Sequence, residues 1–182
     1  MEAPTKITPR SVADYFEVLT KAVFQSGISW RVVEAKWPGF QRALHGFDPA
    51  AVARLTPADV DRLLDDSGII RNRRKLEATI DNAVETVALE KQYGSFKRYL
   101  RSHSGFEETV SDLRRRFRFL GDLGAYYFLY VTGEKVPTHN EWKASRNATS
   151  PRRGKTRRPS PRRRCNDVRR GISRGRAAPM AL

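Results

Sequence analysis

The stretch from Leu63 to Asn82 constrains this chain most, because its spacing reads as helix, tight turn, helix. Thr56 stands where an N-cap belongs, Pro57 at the first helical position, and Asp59 near the positive end of the helix dipole. Val60, Leu63 and Leu64 give this first helix an apolar stripe. Gly68 breaks it and supplies permissive backbone for a sharp turn, which Ile69 and Ile70 pin onto the core. The second helix carries Leu76, Ile80, Ala83, Val84 and Val87 at helical spacing. Its first turn holds Arg71, Arg73, Arg74 and Lys75, where cations are unfavourable unless a bound anion offsets them. The pattern, over about 56–92, predicts a helix-hairpin-helix that grips a nucleic-acid backbone. On spacing alone, an ordinary helical hairpin with a solvated basic edge accounts for it as well.

The rest of the body reads as further helices. Ser11 caps the first, with Asp14 three residues on as a weak capping box. Val12, Tyr15, Phe16, Leu19, Ala22 and Val23 line one face of it, and it stops near Gly27. A second helix opens at Ile28–Trp30 and reaches about Ala35, with Trp37-Pro38 as a break. A third, short helix holds Phe40 and Leu44, and Asp48-Pro49 starts a fourth with Val52 and Leu55 inward. Beyond the hairpin, Gly94 is a stop, Phe96, Tyr99 and Leu100 belong to a short helix, and 102–105 is a loop. Val110 and Leu113 precede the basic run Arg114, Arg115, Arg116 and Arg118. Gly121 to Val131 reads as a buried, aromatic-rich helix stopped by Gly133, and Val136 to Trp142 as a closing loop. Neither an alternating strand pattern nor an internal repeat appears, so the fold class is all-α.

Charge divides the chain. Of the total of +15, the segment from Lys143 onward holds +13, with fourteen Lys or Arg against one acid, Asp167. That segment has no aromatic residue and reads as a disordered, Arg-rich tail. Its Arg blocks suggest contact with nucleic acid; an unselected extension is the alternative. The expected organisation is a flexible lead-in at 1–10, a helical domain at 11–142 and the tail at 143–182. The single Cys165 excludes a disulfide framework or a cysteine-rich zinc site within one chain. The longest apolar run, Leu123 to Val131, is far shorter than the roughly 20 residues of a membrane span. Together with an N-terminus that lacks a signal-peptide pattern, this points to a cytoplasmic, nucleoid-associated protein.

Several strings now combine. Gln25 to Trp30, Phe47-Asp48-Pro49, Ser67 through Lys75 and on to Asn82-Ala83, and Phe117 to Gly121 resemble the 3-methyladenine DNA glycosylase I (Tag) family, in the family's order. The resemblance implies a two-lobed helix-hairpin-helix DNA glycosylase bundle with the disordered basic C-terminal tail appended. It implies Trp30 as the aromatic platform for a flipped, cationic base, with a core tryptophan at a helix start as the alternative. It implies Gly27 in the loop against the gap that base leaves, and Gln25 as a base contact or a helix cap. The amides of Gly68, Ile69, Ile70 and Arg71 would hold a phosphate, with Arg74 or Lys75 adding charge.

Two departures accompany the resemblance. The family's base-recognising glutamate falls at Ala22, and Glu17 lies about 140° round the helix from it. The family's N-terminal His-Asp-x-Glu-Trp-Gly segment, with a pocket tyrosine and a zinc ligand, is missing. A related string, His139 to Trp142, comes at the far end of the domain, so Glu141 is the candidate for a restored catalytic carboxylate, and a solvated loop acid is the alternative. The cysteine partners for zinc are absent, and no metal or cofactor is expected. The expected function is hydrolysis of the N-glycosidic bond of an alkylated purine in duplex DNA, by a monomer that flips the base. The alternative is a non-catalytic DNA-binding protein that keeps the hairpin and has lost the carboxylate.

Overall fold

The computed structural model describes residues 4–149, and every regular element among them is helical. The tail expected at 143–182 lies outside the described residues from Ser150 on. Helix α1 runs Val12–Gln25, and its N-terminus is the capping box read from the sequence: Asp14 N–H donates to Ser11 Oγ, and the Asp14 carboxylate accepts from the Ser11 amide. Helix α2 runs Trp30–Ala43, followed by a 3-10 turn at His45–Phe47 and by α3, Pro49–Val52, which Asp48 caps. The hairpin is α4, Pro57–Asp65, and α5, Arg73–Tyr93. Thr56 and Asp59 form a full capping box on α4. Gly94 ends α5 in the left-handed region, at φ +75°. Then come α6, Phe96–Leu100, α7, Phe106–Arg116, α8, Asp122–Val131, and α9, His139–Thr149.

Three expectations change. The break at Trp37-Pro38 does not occur, because Pro38 lies inside a continuous α2. A proline there costs about 3 kcal/mol, but the residues around it are anchored. Phe40 packs 4.4 Å from Phe24, ring centre to ring centre, and Trp37 stacks on Phe47 at 5.1 Å. Burial of these rings outweighs one lost backbone bond. The closing loop at 136–142 becomes α9 from His139 on, with Trp142 stacked on Tyr126 at 4.5 Å and Arg146 paired with Asp122 at 2.8 Å. The helical domain therefore continues to Thr149. The lead-in is fastened, since Ile7 N–H donates to the Val131 carbonyl at 2.8 Å and Lys6 sits 4.5 Å over the Tyr130 ring.

One continuous core joins α1 through α8. Helix α1 packs against both α5 and α8, and α3 and α4 lie on α5. The last turn of α7 carries a buried polar cluster. Burial alone would raise the Asp112 carboxyl, but hydrogen bonds from Arg116, Tyr99 and His103 outweigh it and hold it at about 2. Arg116 also pairs with Glu85 of α5 at 2.8 Å, which ties α7 to the hairpin's long helix.

Candidate nucleic-acid interface

The turn between α4 and α5 is organised from beneath. Asp66 folds back to accept the Gly68 N–H at 2.6 Å, and Lys36 of α2 donates to the Ser67 carbonyl at 2.6 Å. Gly68 is not in the left-handed region, so the glycine that matters most for space is Gly39 of α2. A Cβ added to Gly39 would lie 2.1 Å from the Gly68 carbonyl oxygen, inside any allowed contact. The sequence reading placed the permissive role on Gly68 and overlooked its partner across the contact.

Of the amides expected to hold a phosphate, two have internal acceptors. Gly68 N–H goes to the Asp66 side chain and Ile69 N–H to the Asp66 carbonyl at 3.5 Å. Those of Ile70 and Arg71 have no acceptor among the described residues. Asn72 caps α5 by accepting from Lys75 N–H at 3.1 Å. The basic run is also sorted. Arg73 pairs with Asp61 and Glu77, while the exposed Arg71 and Arg74 make no ion pair among the described residues. Two amides without an acceptor and two guanidiniums without an ion pair, among the described residues, are groups that suit a phosphate diester.

Lys75 points the other way, which corrects its expected phosphate role. It is 5% exposed, and its ammonium donates to the carbonyls of Phe24 at 3.0 Å and Ser26 at 2.5 Å. Burial lowers its pKa from the ordinary lysine value. These carbonyls belong to the end of α1, where cations are favoured. The signal was present in the sequence: Lys75, Thr79, Asn82 and Thr86 recur at helical spacing and are all buried.

Lys75 therefore fixes the loop that follows α1. Gln25 ends the helix half-buried, and Gly27 adopts φ +78° in open surroundings. Trp30 opens α2 and is 46% exposed, which rules out a role as a core tryptophan. The Lys21 ammonium lies 5.4 Å from its ring centre and pairs with Glu34 at 2.7 Å. Glu17, by contrast, is engaged with the core indole, accepting from Trp37 Nε1 at 2.7 Å.

Ser26 also lines an open depression of about 520 Å³, whose opposite wall is Phe117 to Gly121 with Arg114 and Arg115. That volume falls within the roughly 300–1,000 Å³ of small-molecule sites. None of its lining residues carries a carboxyl group. Asn82 of α5 clamps the wall at Arg118, accepting its N–H at 2.7 Å and donating to its carbonyl at 3.1 Å. Trp30 is not among the lining residues; it stands at the far end of the loop from Ser26.

The family model for methyladenine glycosylase matches residues 8–118, covering α1 through the clamped wall. The chain belongs to that family. A DNA-3-methyladenine glycosylase of Haemophilus influenzae is 32% identical over 139 residues, 65% of this chain and 75% of the relative. DNA-3-methyladenine glycosylase 1 of Escherichia coli is 30% identical over 139 residues, with 65% and 74% coverage. A crystal structure of 3-methyladenine DNA glycosylase I superposes with TM-score 0.62 at 27% identity, covering 70% of this chain and 81% of that one. The Staphylococcus aureus enzyme, solved to explain 3-methyladenine recognition, gives 0.63 at 25% identity, with 71% and 80% coverage.

Membership in the methyladenine glycosylase family makes the positions of two carboxylates informative. Ala22 is buried between α1 and α8, and a Cβ added to Gly124 would lie 3.8 Å from its own Cβ. Glu141 does not take over the role foreseen for it. It is exposed and caps α9, accepting from Thr138 N–H at 3.0 Å and Thr138 Oγ1 at 2.7 Å. Those hydrogen bonds lower its pKa. Among the described residues, no group of three or more His, Cys, Asp or Glu is placed to hold a metal ion, and no helix is long and apolar enough to cross a membrane.

Proposed function

We propose that this chain hydrolyses the N-glycosidic bond of a cationic, alkylated purine in double-stranded DNA, with 3-methyladenine as the leading substrate. The observation that carries the reading is the exposed indole of Trp30, held outside the core at the first residue after the Gln25–Ser29 loop. A flipped base has to leave the stack for a pocket, and an electron-poor ring is attracted to an indole face. The outward amides of Ile70 and Arg71, with Arg71 and Arg74, hold the backbone and carry no sequence information.

The chemistry follows from the carboxylates around the indole. Glu34 is held by Lys21, Glu17 by the Trp37 indole, and Ala22 carries no carboxyl group, so none of these positions offers a free general acid to protonate a neutral leaving base. N3-alkylated adenine needs none, because the nucleoside already carries the positive charge that makes the base depart. The chain's part is then to flip, orient and select. This limits the substrates to lesions that are cationic before they bind. The protein acts as a monomer in the cytoplasm, on the nucleoid.

The test is incubation with methylated duplex DNA, followed by chromatographic identification of released bases. Release of 3-methyladenine is expected, with no release of hypoxanthine, which is neutral, from an inosine-containing duplex. Tight duplex binding with no base released would overturn catalysis and leave the non-catalytic DNA-binding reading.

A further inference from the structure

Phe119 is the residue of this surface that neither packing nor the phosphate grip explains. It follows the clamped Arg118 at the rim of the depression, one residue past the family match. Its backbone is in the left-handed region at φ +58°, a strained conformation for a bulky side chain. Phe47 shares that strain at φ +61°, but its ring is completely buried, so packing offsets the cost. The Phe119 ring is 39% exposed. His45, at φ +51°, is exposed too, but its short polar ring belongs to a type that tolerates this region, whereas a phenylalanine held there at the surface points to a ligand.

The surroundings say which ligand. Phe117 and Leu120, on either side, are 2% and 4% exposed and fix the loop to the core. The Asn82 clamp holds Arg118 at both its N–H and its carbonyl. Arg74, which makes no ion pair among the described residues, lies with its guanidinium 5.7 Å from the Phe119 ring centre. Arg114, Arg115 and Arg118 line the same depression, each paired with a carboxylate, of Asp122, Asp112 and Asp81 respectively. An exposed aromatic on a clamped loop, in contact with an arginine of the proposed phosphate grip, suits a polyanion with stacked rings inside. Minor-groove proteins insert such apolar wedges between base steps, unstack them and bend the duplex.

We propose that Phe119 enters duplex DNA beside the lesion, wedging the stack open from the wall opposite Ser26 while the base leaves. This rests on the glycosylase reading for its purpose, and adds a residue that positions the DNA rather than the base. Arg74 would then serve both functions, holding a phosphate and steadying the ring.

The experiment uses a duplex with a stable abasic analogue flanked by 2-aminopurine, which brightens when unstacked. No base is present to fill a pocket, so any effect there needs insertion into the stack. The full chain, Phe119→Gly and Phe119→Leu are compared. The unmodified protein should prefer the abasic duplex over an intact one and brighten the probe. Phe119→Gly should lose roughly tenfold in that preference, the order of one lost stacking contact, and most of the brightening. Its intact-duplex affinity should hold, and its melting temperature should stay within about 5 °C, because glycine relieves the positive φ. Phe119→Leu, still an apolar wedge, should retain much of the effect.

Several results would overturn the wedge. One is an unchanged abasic preference in Phe119→Gly; if base release falls meanwhile, Phe119 is a pocket wall instead. Another is a fall in melting temperature and intact-duplex affinity together, shared by Phe119→Leu, which marks a structural role. A third is an unmodified protein that neither prefers nor brightens the abasic duplex. Base release from methylated DNA, run in parallel, separates the two readings. Release with no Phe119 effect sinks the wedge alone. A Phe119-dependent abasic preference without release supports the wedge and sinks catalysis.

Discussion

In the hairpin, Asp66 accepts from the Gly68 N–H and Lys36 donates to the Ser67 carbonyl, while the Ile70 and Arg71 amides have no acceptor among the described residues. Around α1 and α9, Ala22 is buried and carries no carboxyl group, and Glu141 is committed to capping α9. One region offers free backbone amides; the other offers no free carboxylate at either expected position. The contrast teaches that gripping DNA and recognising a base place separate demands on a sequence. The grip depends on backbone geometry, which glycines and caps preserve. Recognition depends on single side chains, any of which one substitution removes. The two regions meet at Lys75, which reaches from the hairpin helix to the carbonyls at the end of α1.

The largest effect should come from closing the space beneath the turn. In Gly39→Val the new Cβ meets the Gly68 carbonyl, and neither backbone can yield without moving α2 or the hairpin. Overpacking costs about 1–3 kcal/mol, occasionally more; a backbone clash with this geometry should reach the upper end. Thermal melting should fall by roughly 10 °C or more, at a few degrees per kcal/mol for a domain of this size. Gly68→Ala should cost less, because its Cβ would meet only the Asp66 side chain, at 2.9 Å. Equal losses would mean that the turn, and not its seat on α2, sets the stability of the grip.

Next is the base platform. Trp30→Ala should lower base release roughly tenfold to a hundredfold, since stacking on an aromatic is worth about 1–3 kcal/mol. Melting and duplex affinity should hardly change, because the ring is 46% exposed and the phosphate contacts lie elsewhere. Ala22→Glu is the reciprocal change. The longer side chain runs beside Gly124, and burial raises the pKa of the introduced carboxyl. It should sharpen preference for 3-methyladenine over other alkylpurines at some cost in melting temperature. A Trp30→Ala protein that melts far lower would erase the distinction between pocket and core.

How much of this was legible follows from which signals are local. The caps Ser11–Asp14 and Thr56–Asp59, the Gly94 stop and the hairpin could be read, because each is decided within a few residues. Thr138 and Glu141 carry that same capping signal, which competes with a pocket role for the one carboxylate of the His139–Trp142 string. Pro38 misled in the opposite sense: the local rule against proline is correct, and tertiary burial of Trp37 and Phe40 overrides it. Trp30 stands out only through the family resemblance, since nothing local to its sequence separates an exposed indole from a core one. Lys75 was grouped with its charged neighbours, although its register belongs to the buried face. Gly39, Lys21 and Phe119 were out of reach, because their roles depend on residues distant in sequence.

Lys75→Met tests the junction. Two carbonyls at the end of α1 lose their donor, which should cost about 2 kcal/mol, the scale for leaving buried polar groups unpaired. Base release should fall about tenfold through a loosened Gln25–Ser29 loop. The salt dependence of duplex affinity should stay as it was. A phosphate ligand would behave differently, reducing the slope by about one unit. Such a reduction would return Lys75 to the grip and break the link between the two regions.

The smallest effect separates the two unpaired arginines from their paired neighbour. Arg71 and Arg74 make no ion pair among the described residues, and a DNA phosphate is the partner proposed for both. Arg73 is already held by Asp61 and Glu77. Each phosphate neutralised by a side chain adds about 0.9 to the slope of log affinity against log salt. Arg71→Ala and Arg74→Ala should therefore each flatten the slope by about one unit, and weaken binding uniformly across sequences. Arg73→Ala should flatten it less, because Asp61 and Glu77 compete for that guanidinium, and removing surface ion pairs of this kind costs only about 0–1 kcal/mol. Melting temperature serves as the control. Arg73→Ala should lower it slightly, whereas Arg71→Ala should not. Equal slopes for all three variants would show that the hairpin acts as a diffuse basic edge, with no defined phosphate seat at Ile70 and Arg71.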